Sequence, residues 1–160
     1  MTITFIQTGG TIDKDYPKTT KGWAFEIDEP AVNRILEKLN PSFKFEVFSA
    51  FKKDSLQIEE NDRDHLFKLI EKIENDKIII THGTDTMIET AQFLSDIKNK
   101  TIVLTGAMKP ERFYNSDASI NLGVAVGAIN VLRHGVFIAM HGIVKSHEEI
   151  NRNMENGKYY

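Results

Sequence analysis

Short apolar runs of strand character recur along the chain and alternate with segments of helical periodicity. The strands predicted from these runs are Ile3–Gln7, Phe45–Ala50, Lys77–Thr81, Thr101–Thr105 and Val136–Met140. The third and fourth runs are almost continuously apolar, which is typical of parallel strands covered on both faces. We therefore predict an α/β fold: one doubly wound domain over residues 1–160, with a mostly parallel five-stranded sheet flanked by helices.

The segments between these strands carry helix signals. Apolar residues recur at helical spacing from Leu66 onward. Thr86 and Glu89 have the spacing of a capping box and predict the start of the next helix. Ser116 or Asp117 is expected to cap a last, long helix that is apolar nearly all round.

Composition narrows the classes of function. The chain has 160 residues, of which 41% are hydrophobic and 27% charged, as in soluble globular proteins. A net charge of -3 gives no reason to expect attraction to nucleic acid or to an anionic membrane. No cysteine is present, which excludes disulfides and thiolate metal sites. Because residues 1–7 lack a basic start and a long apolar stretch, we expect no signal peptide, no membrane span and a cytoplasmic location.

Candidate site residues follow the strands, because ligands of open parallel sheets bind beyond the carboxyl ends of the strands. The first strand is followed by Thr8–Thr11, in which two glycines permit a tight turn and close backbone approach. Thr11 would present a hydroxyl beside backbone N–H groups, which suits a nucleophile with an oxyanion hole. A Gly-Gly turn with flanking threonines is, however, more often structural.

The third strand is followed by a second polar segment, Thr81–Thr86, at the start of a helix. Backbone N–H groups at such a position favour an anion or a polarised carbonyl. Asp85 supplies a carboxylate that could bind an amine or orient a proton relay. The alternative is that Thr84, Asp85 and Thr86 only compete to cap the helix. The fourth strand ends in Gly106–Pro110, a turn whose carbonyls could contact a ligand.

Two further features bear on the site. The five histidines lack the spacing of metal ligands, so we expect no metal site, and the chemistry described here requires no cofactor. The segment Lys14–Gly22 is polar and turn-rich without periodicity, as expected of a mobile loop that closes over a site. An ordinary surface loop is the alternative.

Together these motifs resemble the signature segments of bacterial-type L-asparaginases. The matching segments are Thr8–Ile12, His82–Met87 with Glu89–Ala91, Gly106–Pro110, Asn115–Asp117 and Asn121–Leu122. They occur in the family's order, and the resemblance covers roughly residues 1–140.

The resemblance implies roles for single residues. Thr11 matches the family's nucleophilic threonine, Thr84 the second catalytic threonine, and Asp85 the aspartate that binds the amino group of the substrate. Ser55 resembles the serine that holds the substrate α-carboxylate. The Gly10 and Thr84 N–H groups would bind the oxyanion, and the Ala107 carbonyl would receive the amide nitrogen. The substrate-binding residues implied in this way are Gly10, Ser55, Gly83, Thr84, Asp85 and Ala107.

Three family features have no fixed match. For the lysine that pairs with the aspartate, Lys158 is the nearest candidate and Lys145 the second. For the tyrosine of the mobile loop, Tyr16 is the choice and Trp23 the rival. The family usually carries a C-terminal domain that contributes to the neighbouring subunit's active site, and we expect this chain to be a short form without it.

Three hypotheses of different classes follow. The first is an amidohydrolase that acts on L-asparagine, with L-glutamine as a side substrate, through an acyl-enzyme on Thr11. The second is an amino-acid-binding module without full catalytic competence. The third is an amidase for a larger substrate, such as an aminoacyl-tRNA presented by a partner protein. We favour the first, because both threonines and Asp85 are present as a set. A homo-oligomer is also expected.

Overall fold

The computed structural model describes residues 1–160. Its strands are β1 Thr2–Gly9, β2 Lys14–Asp15, β3 Lys18–Thr19, β4 Gly22–Trp23, β5 Glu26–Ile27, β6 Lys44–Lys53, β7 Lys77–Thr81, β8 Thr101–Thr105, β9 Gly135–Met140 and β10 Ile143–Ser146. Its α-helices are α1 Ala31–Leu39, α2 Glu60–Lys72, α3 Met87–Phe93 and α4 Ala118–Ile129. No helix has the length and apolar character needed to cross a membrane.

The central sheet has six strands in the order β10-β9-β8-β7-β1-β6. The five predicted strands are all present and parallel to one another, which confirms the α/β fold. The predicted number of strands was one too low, because β10 pairs antiparallel with β9 at the edge. His141 (φ 53) and Gly142 (φ 80) reverse the chain there. The strand that follows is half-buried and carries Lys145, so its sequence lacks the apolar run that marks the other strands.

Side chains of the central strands alternate between two hydrophobic layers. In β7, Ile79 faces the layer formed with α1 and α4, whereas Ile78 and Ile80 face the layer formed with α2 and α3. In β8, Val103 and Leu104 divide in the same way. This two-sided burial explains why both strands read as continuous apolar runs, as expected for a parallel sheet covered on both faces.

The four crossovers between parallel strands do not share one hand. From β1 the chain crosses to β6 on one side, and α1 lies on the first face of the sheet, the face that also carries α4. From β6 it crosses in the opposite direction to β7 and then to β8, and α2 and α3 lie on the second face. These three connections are consistent with one hand. The step from β8 to β9 continues in the second direction but places α4 on the first face, so it has the opposite hand. Because right-handed crossovers are nearly universal, α4 forms the left-handed exception.

The helix starts differ from those predicted. Thr86 occupies the N-cap position of α3 without a side-chain cap, because its hydroxyl donates to the Ser55 carbonyl instead (2.8 Å). The predicted capping box is therefore wrong, and a capping box lies at α2, between Glu59 and Asp62. Asp117 precedes α4, but its carboxylate accepts hydrogen bonds from the Met108 and Lys109 N–H groups rather than capping the helix. Of the two residues predicted to cap α4, it is Ser116 whose hydroxyl accepts a hydrogen bond from the Ala118 N–H (3.1 Å) in the first turn.

The segment predicted as an irregular loop has secondary structure. Strand β2 pairs with β5, and β3 pairs with β4, so residues 14–27 form a hairpin. An ion pair from Arg112 to Asp15 (2.6 Å) and packing of the Phe25 ring on Phe113 (6.5 Å between centroids) hold it on the body of the protein.

Candidate active site

The two signature segments lie where the direction of sheet construction reverses. From β1 the chain first adds β6 on one side, and then β7, β8 and β9 on the other. Strands β1 and β7 are parallel neighbours, so Thr8–Thr11 and Thr81–Asp85 meet at their carboxyl ends. Such a switch point is the usual ligand-binding crevice of a doubly wound sheet.

Glycines allow the three segments of this crevice to touch. Gly10 has a φ of +85°, and a Cβ there would lie 2.5 Å from the Gly83 Cα and N atoms. A Cβ on Gly83 would lie 2.6 Å from the Cβ of Ser55 and 2.7 Å from its Oγ. The two backbones and Ser55 are thus stacked without room for a methyl group. Thr11 follows Gly10 and Thr84 follows Gly83, so both threonines continue the chain from this contact.

Asp85 is held from two sides. Its backbone N–H donates to Ser55 Oγ (3.2 Å), and its carboxylate accepts a hydrogen bond from Arg152 (2.8 Å). Arg152 also donates to the Thr84 carbonyl (3.1 Å), which accepts a second hydrogen bond from the Tyr159 hydroxyl. Burial raises the pKa of Tyr159 to about 12, so this hydroxyl stays a donor. The carboxylate is exposed and has one oxygen free of these contacts, so it can receive a cation.

The cation beside Asp85 is Arg152 rather than either lysine suggested by the sequence. Lys158 is exposed and makes no ion pair, and Lys145 lies exposed on the edge strand β10. The family pattern places a lysine beside the aspartate, so the resemblance did not point to Arg152. Arginine stays protonated in proteins, so Arg152 can orient Asp85 but cannot accept a proton.

The backbone donors available for an oxyanion differ in part from those implied by the family. The Gly10 N–H donates to the Lys53 carbonyl (3.0 Å), so it is occupied. The Thr84 N–H has no acceptor within the protein. Thr11 begins a short 3-10 helix, and the first N–H groups of a helix have no intrahelical acceptor. The available pair is therefore Thr11 and Thr84.

The turn after β8 is fixed around Ala107. The Gly106 carbonyl accepts a hydrogen bond from the Asn121 side chain (3.0 Å), and the Met108 N–H donates to Asp117. The Ala107 carbonyl lies between these anchored groups and accepts no hydrogen bond within the protein. It is therefore free to accept one from a ligand.

Two buried titratable groups support the crevice: Asp13, which lies outside every motif named from the sequence, and His82, which opens the second signature segment but was given no role of its own. Burial raises the pKa of Asp13 to about 6. Its carboxylate accepts hydrogen bonds from the Ala31 N–H (2.8 Å) and from the Thr81 hydroxyl (3.4 Å). Burial lowers the pKa of His82 to about 4, so its imidazole is neutral.

The aromatic residues proposed for the loop lie on the hairpin surface. Tyr16 is 61% exposed and Trp23 71% exposed, and neither side chain hydrogen-bonds to another candidate residue. A cavity of about 430 Å³ adjoins Asp85 on its other side, between α3 and the segment 147–159. No group of three or more His, Asp or Glu side chains is placed to hold a metal ion.

Comparison with known proteins identifies the family of the chain. Residues 2–155 match the family model described as asparaginase, N-terminal, which confirms the resemblance drawn from the motifs. The chain is 26% identical over 164 residues to a glutaminase-asparaginase of Acinetobacter glutaminasificans, covering 95% of this chain and 50% of that protein. It is 36% identical over 150 residues to one component of the glutamyl-tRNA(Gln) amidotransferase of Pyrococcus furiosus, covering 88% of this chain and 34% of that component.

A solved structure gives the same picture. The thermostable L-asparaginase from Thermococcus kodakarensis superposes with a TM-score of 0.79 at 29% identity, over 95% of this chain and 48% of that one. The chain thus spans half or less of the length of these relatives.

Proposed function

The chain belongs to the asparaginase family, and from this premise we propose that it is an amidohydrolase that releases ammonia from the side-chain amide of L-asparagine, with L-glutamine as a side substrate. The observation that supports the proposal is the contact between Gly10 and Gly83 at the switch point, because Thr11 follows the first of these glycines and Thr84 and Asp85 follow the second.

The proposed reaction passes through an ester on Thr11. The Thr11 hydroxyl oxygen adds to the amide carbon, and the developing negative charge on the carbonyl oxygen is bound by the Thr11 and Thr84 N–H groups. The carbon–nitrogen bond then breaks, and the hydroxyl proton leaves with the nitrogen as ammonia. Ala107 accepts a hydrogen bond from that nitrogen. Water then adds to the ester, which releases aspartate and restores the Thr11 hydroxyl. No metal or cofactor takes part.

Recognition of the free amino acid falls to Asp85 and Ser55. The free oxygen of the Asp85 carboxylate would bind the α-ammonium group, while Arg152 holds the other oxygen. Ser55 Oγ already accepts a hydrogen bond from the Asp85 N–H, so its own proton is available for the α-carboxylate. These two contacts would fix the substrate with its side chain directed toward Thr11.

Two other functions have a specific observation in their favour. The similarity to a component of a glutamyl-tRNA(Gln) amidotransferase favours an amidase that works with a partner protein on a larger substrate. The presence of Arg152, where a lysine was expected, favours an amino-acid-binding module, because a guanidinium cannot accept a proton as a neutral lysine could.

One assay separates these three functions. Purified protein is incubated with L-asparagine and with L-glutamine, and ammonia release is measured beside calorimetric titration with L-aspartate. The hydrolase predicts catalytic ammonia release from L-asparagine that disappears in Thr11→Ala. Binding of L-aspartate without ammonia release identifies the binding module. Absence of both supports the partner-dependent amidase and contradicts the proposal.

A further inference from the structure

A buried hydrogen-bonded chain runs from helix α2 to the peptide that precedes Thr84. Arg63 in α2 bonds through Nε to the Thr90 hydroxyl in α3 (3.1 Å). The Thr90 hydroxyl contacts His82 Nε2 (2.9 Å), and His82 Nδ1 contacts the Gly83 carbonyl (2.7 Å). His82 and Thr90 are fully buried, and the Arg63 side chain is only 12% exposed. No step of the proposed reaction uses these side chains.

The direction of every hydrogen bond in this chain is fixed by its ends. A carbonyl oxygen can only accept, so His82 Nδ1 carries the proton and donates to Gly83. Since the buried imidazole is neutral, its Nε2 is unprotonated and accepts from the Thr90 hydroxyl. The hydroxyl oxygen in turn accepts from Arg63, which can only donate. A permanent cation therefore begins the chain and a backbone carbonyl ends it.

The last hydrogen bond orients the neighbouring N–H group. The Gly83 carbonyl and the Thr84 N–H belong to one trans peptide unit, in which these two groups point to opposite sides. Because the carbonyl is drawn toward the buried ring of His82, the N–H is directed away from the core. This is the N–H that has no acceptor within the protein.

We propose that Arg63, Thr90 and His82 are positioning residues that hold the Gly83–Thr84 peptide so that the Thr84 N–H faces the carbonyl oxygen of the substrate amide. This inference rests on the proposed amidohydrolase function. The peptide that follows is held independently, since Arg152 and Tyr159 bind the Thr84 carbonyl and Ser55 binds the Asp85 N–H. The segment is thus fixed before substrate arrives, as a preorganised oxyanion donor requires.

The test replaces the central hydroxyl. Thr90→Val keeps the shape of the side chain but can neither donate to His82 nor accept from Arg63. We expect kcat for L-asparagine to fall about ten-fold or more with KM changed less than about three-fold, because an oxyanion contact strengthens in the transition state. Thr90→Ser should restore kcat. Thr4→Val is the matched control, since Thr4 is equally buried and its hydroxyl also accepts one side-chain hydrogen bond, but it lies at the opposite end of β1.

Arg63→Met provides a second variant at the less buried end of the chain, for use if Thr90→Val does not fold. It should lower kcat in the same direction, again with little change in KM. The inference would be overturned by equal kcat values in Thr90→Val and Thr4→Val. If the second variant is needed, equal kcat values in Arg63→Met and wild type would overturn it. Either result leaves the amidohydrolase function in place.

A structural readout separates failure of the inference from failure of the function. Nitrogen-15 NMR of the His82 ring in wild type should show Nδ1 protonated and Nε2 unprotonated. The Thr84 amide resonance should shift in Thr90→Val and return in Thr90→Ser. A ring protonated on Nε2, or a Thr84 amide that is indifferent to Thr90, refutes the positioning role even if wild type is active. If wild type releases no ammonia, the proposed function fails, and these spectra still decide whether the chain orients the peptide.

Discussion

Thr11 is the residue on which the proposed chemistry depends most directly. We expect Thr11→Ala to lower kcat for L-asparagine by about a thousand-fold or more, because the ester cannot form without the hydroxyl. The fold should persist, since Thr11 is only half-buried and its side chain makes no hydrogen bond. Ammonia release and the thermal unfolding midpoint are the two measurements. Near-normal turnover in the variant would exclude Thr11 as the nucleophile.

Asp85 is expected to bind the α-ammonium group of the substrate. Asp85→Asn should weaken L-aspartate binding by about ten- to a hundred-fold in calorimetry, because hydrogen bonds to charged groups contribute about 1.5–3 kcal/mol. The change also disturbs the ion pair with Arg152, so Arg152→Met is the control that removes the pair and keeps the carboxylate. Asp85→Asn should be the weaker binder of the two. Unchanged affinity in Asp85→Asn would leave the carboxylate with a structural role only.

The residues of the site differ in how well the sequence reveals them. Thr11, Thr84 and Asp85 follow strand ends and could be named from the sequence. Arg152 and Tyr159 could not, because they lie in an irregular segment and reach the site only through tertiary contacts. Gly10 was expected to donate its N–H, but a register shift between β1 and β6 brings the Lys53 carbonyl to that group. Such shifts leave no pattern in the sequence.

At the scale of elements, hydrophobic periodicity identified the five parallel strands but missed β10 and the small hairpin strands. The missed strands are only two to four residues long, so no apolar run marks them. The capping box at Thr86 and Glu89 failed for another reason. Ser55 and Arg63 offer tertiary partners to these side chains, and such contacts override a local signal.

The hairpin of residues 14–27 is expected to behave as a lid. Its two ladders contain only two residue pairs each, and Tyr16 and Trp23 are exposed, so little burial offsets its ordering entropy. We expect fast hydrogen exchange in residues 14–22 without ligand and slower exchange with L-aspartate. Equal, strong protection in both states would mean that the hairpin is fixed.

Tyr16 on this hairpin has two open roles, proton transfer or completion of the wall of the site. Tyr16→Phe removes the hydroxyl alone. A fall in kcat of about a hundred-fold would support proton transfer, whereas a change below about three-fold would leave Tyr16 as a wall residue. Trp23→Phe is the matched control, because it alters another largely exposed aromatic residue of the same hairpin.

At the scale of the whole molecule, the sequence predicted which residues alternate between strands and helices but not the order of strands in the sheet. The position of β1 between β6 and β7 creates the switch point at which the candidate site lies. The single domain over residues 1–160 and the cytoplasmic location stay predictions.

A homo-oligomer also stays a prediction, and α4 supplies a candidate interface. Ile120 is exposed, and no atom lies within 4 Å of a Cβ placed on Gly123 or Gly127, so these three residues form an open apolar stripe. We expect light scattering at micromolar concentration to show a dimer or a dimer of dimers, and Gly127→Arg to shift it toward monomer. Arginine has room at this position within one protomer. A wild-type monomer with intact activity would contradict the prediction.

Two buried groups near the site should have opposite effects on how the free energy of unfolding depends on pH. Asp13 has a folded pKa of about 6 against an ordinary value of 3.8, so between these values the native state holds a proton that the unfolded state lacks, and stability falls as pH rises. His82 has a folded pKa of about 4 against 6.5, so the unfolded state holds the extra proton and stability rises with pH. Each effect is on the order of 3 kcal/mol. In wild type they nearly cancel between pH 4 and 6.

Single substitutions should reveal each slope. In Asp13→Asn, whose amide oxygen can still accept from the Ala31 N–H, only the His82 effect remains. Relative to wild type, the free energy of unfolding should then rise from about pH 4 to about pH 6, the range of the missing Asp13 effect. In His82→Gln it should fall from about pH 4 to about pH 6.5 relative to wild type, the range of the missing His82 effect, and in the double variant neither effect should remain. Chemical denaturation at a series of pH values measures all four proteins, and other titrating groups cancel in the comparison. Parallel curves for wild type and both single variants would mean that Asp13 and His82 titrate normally in the folded protein.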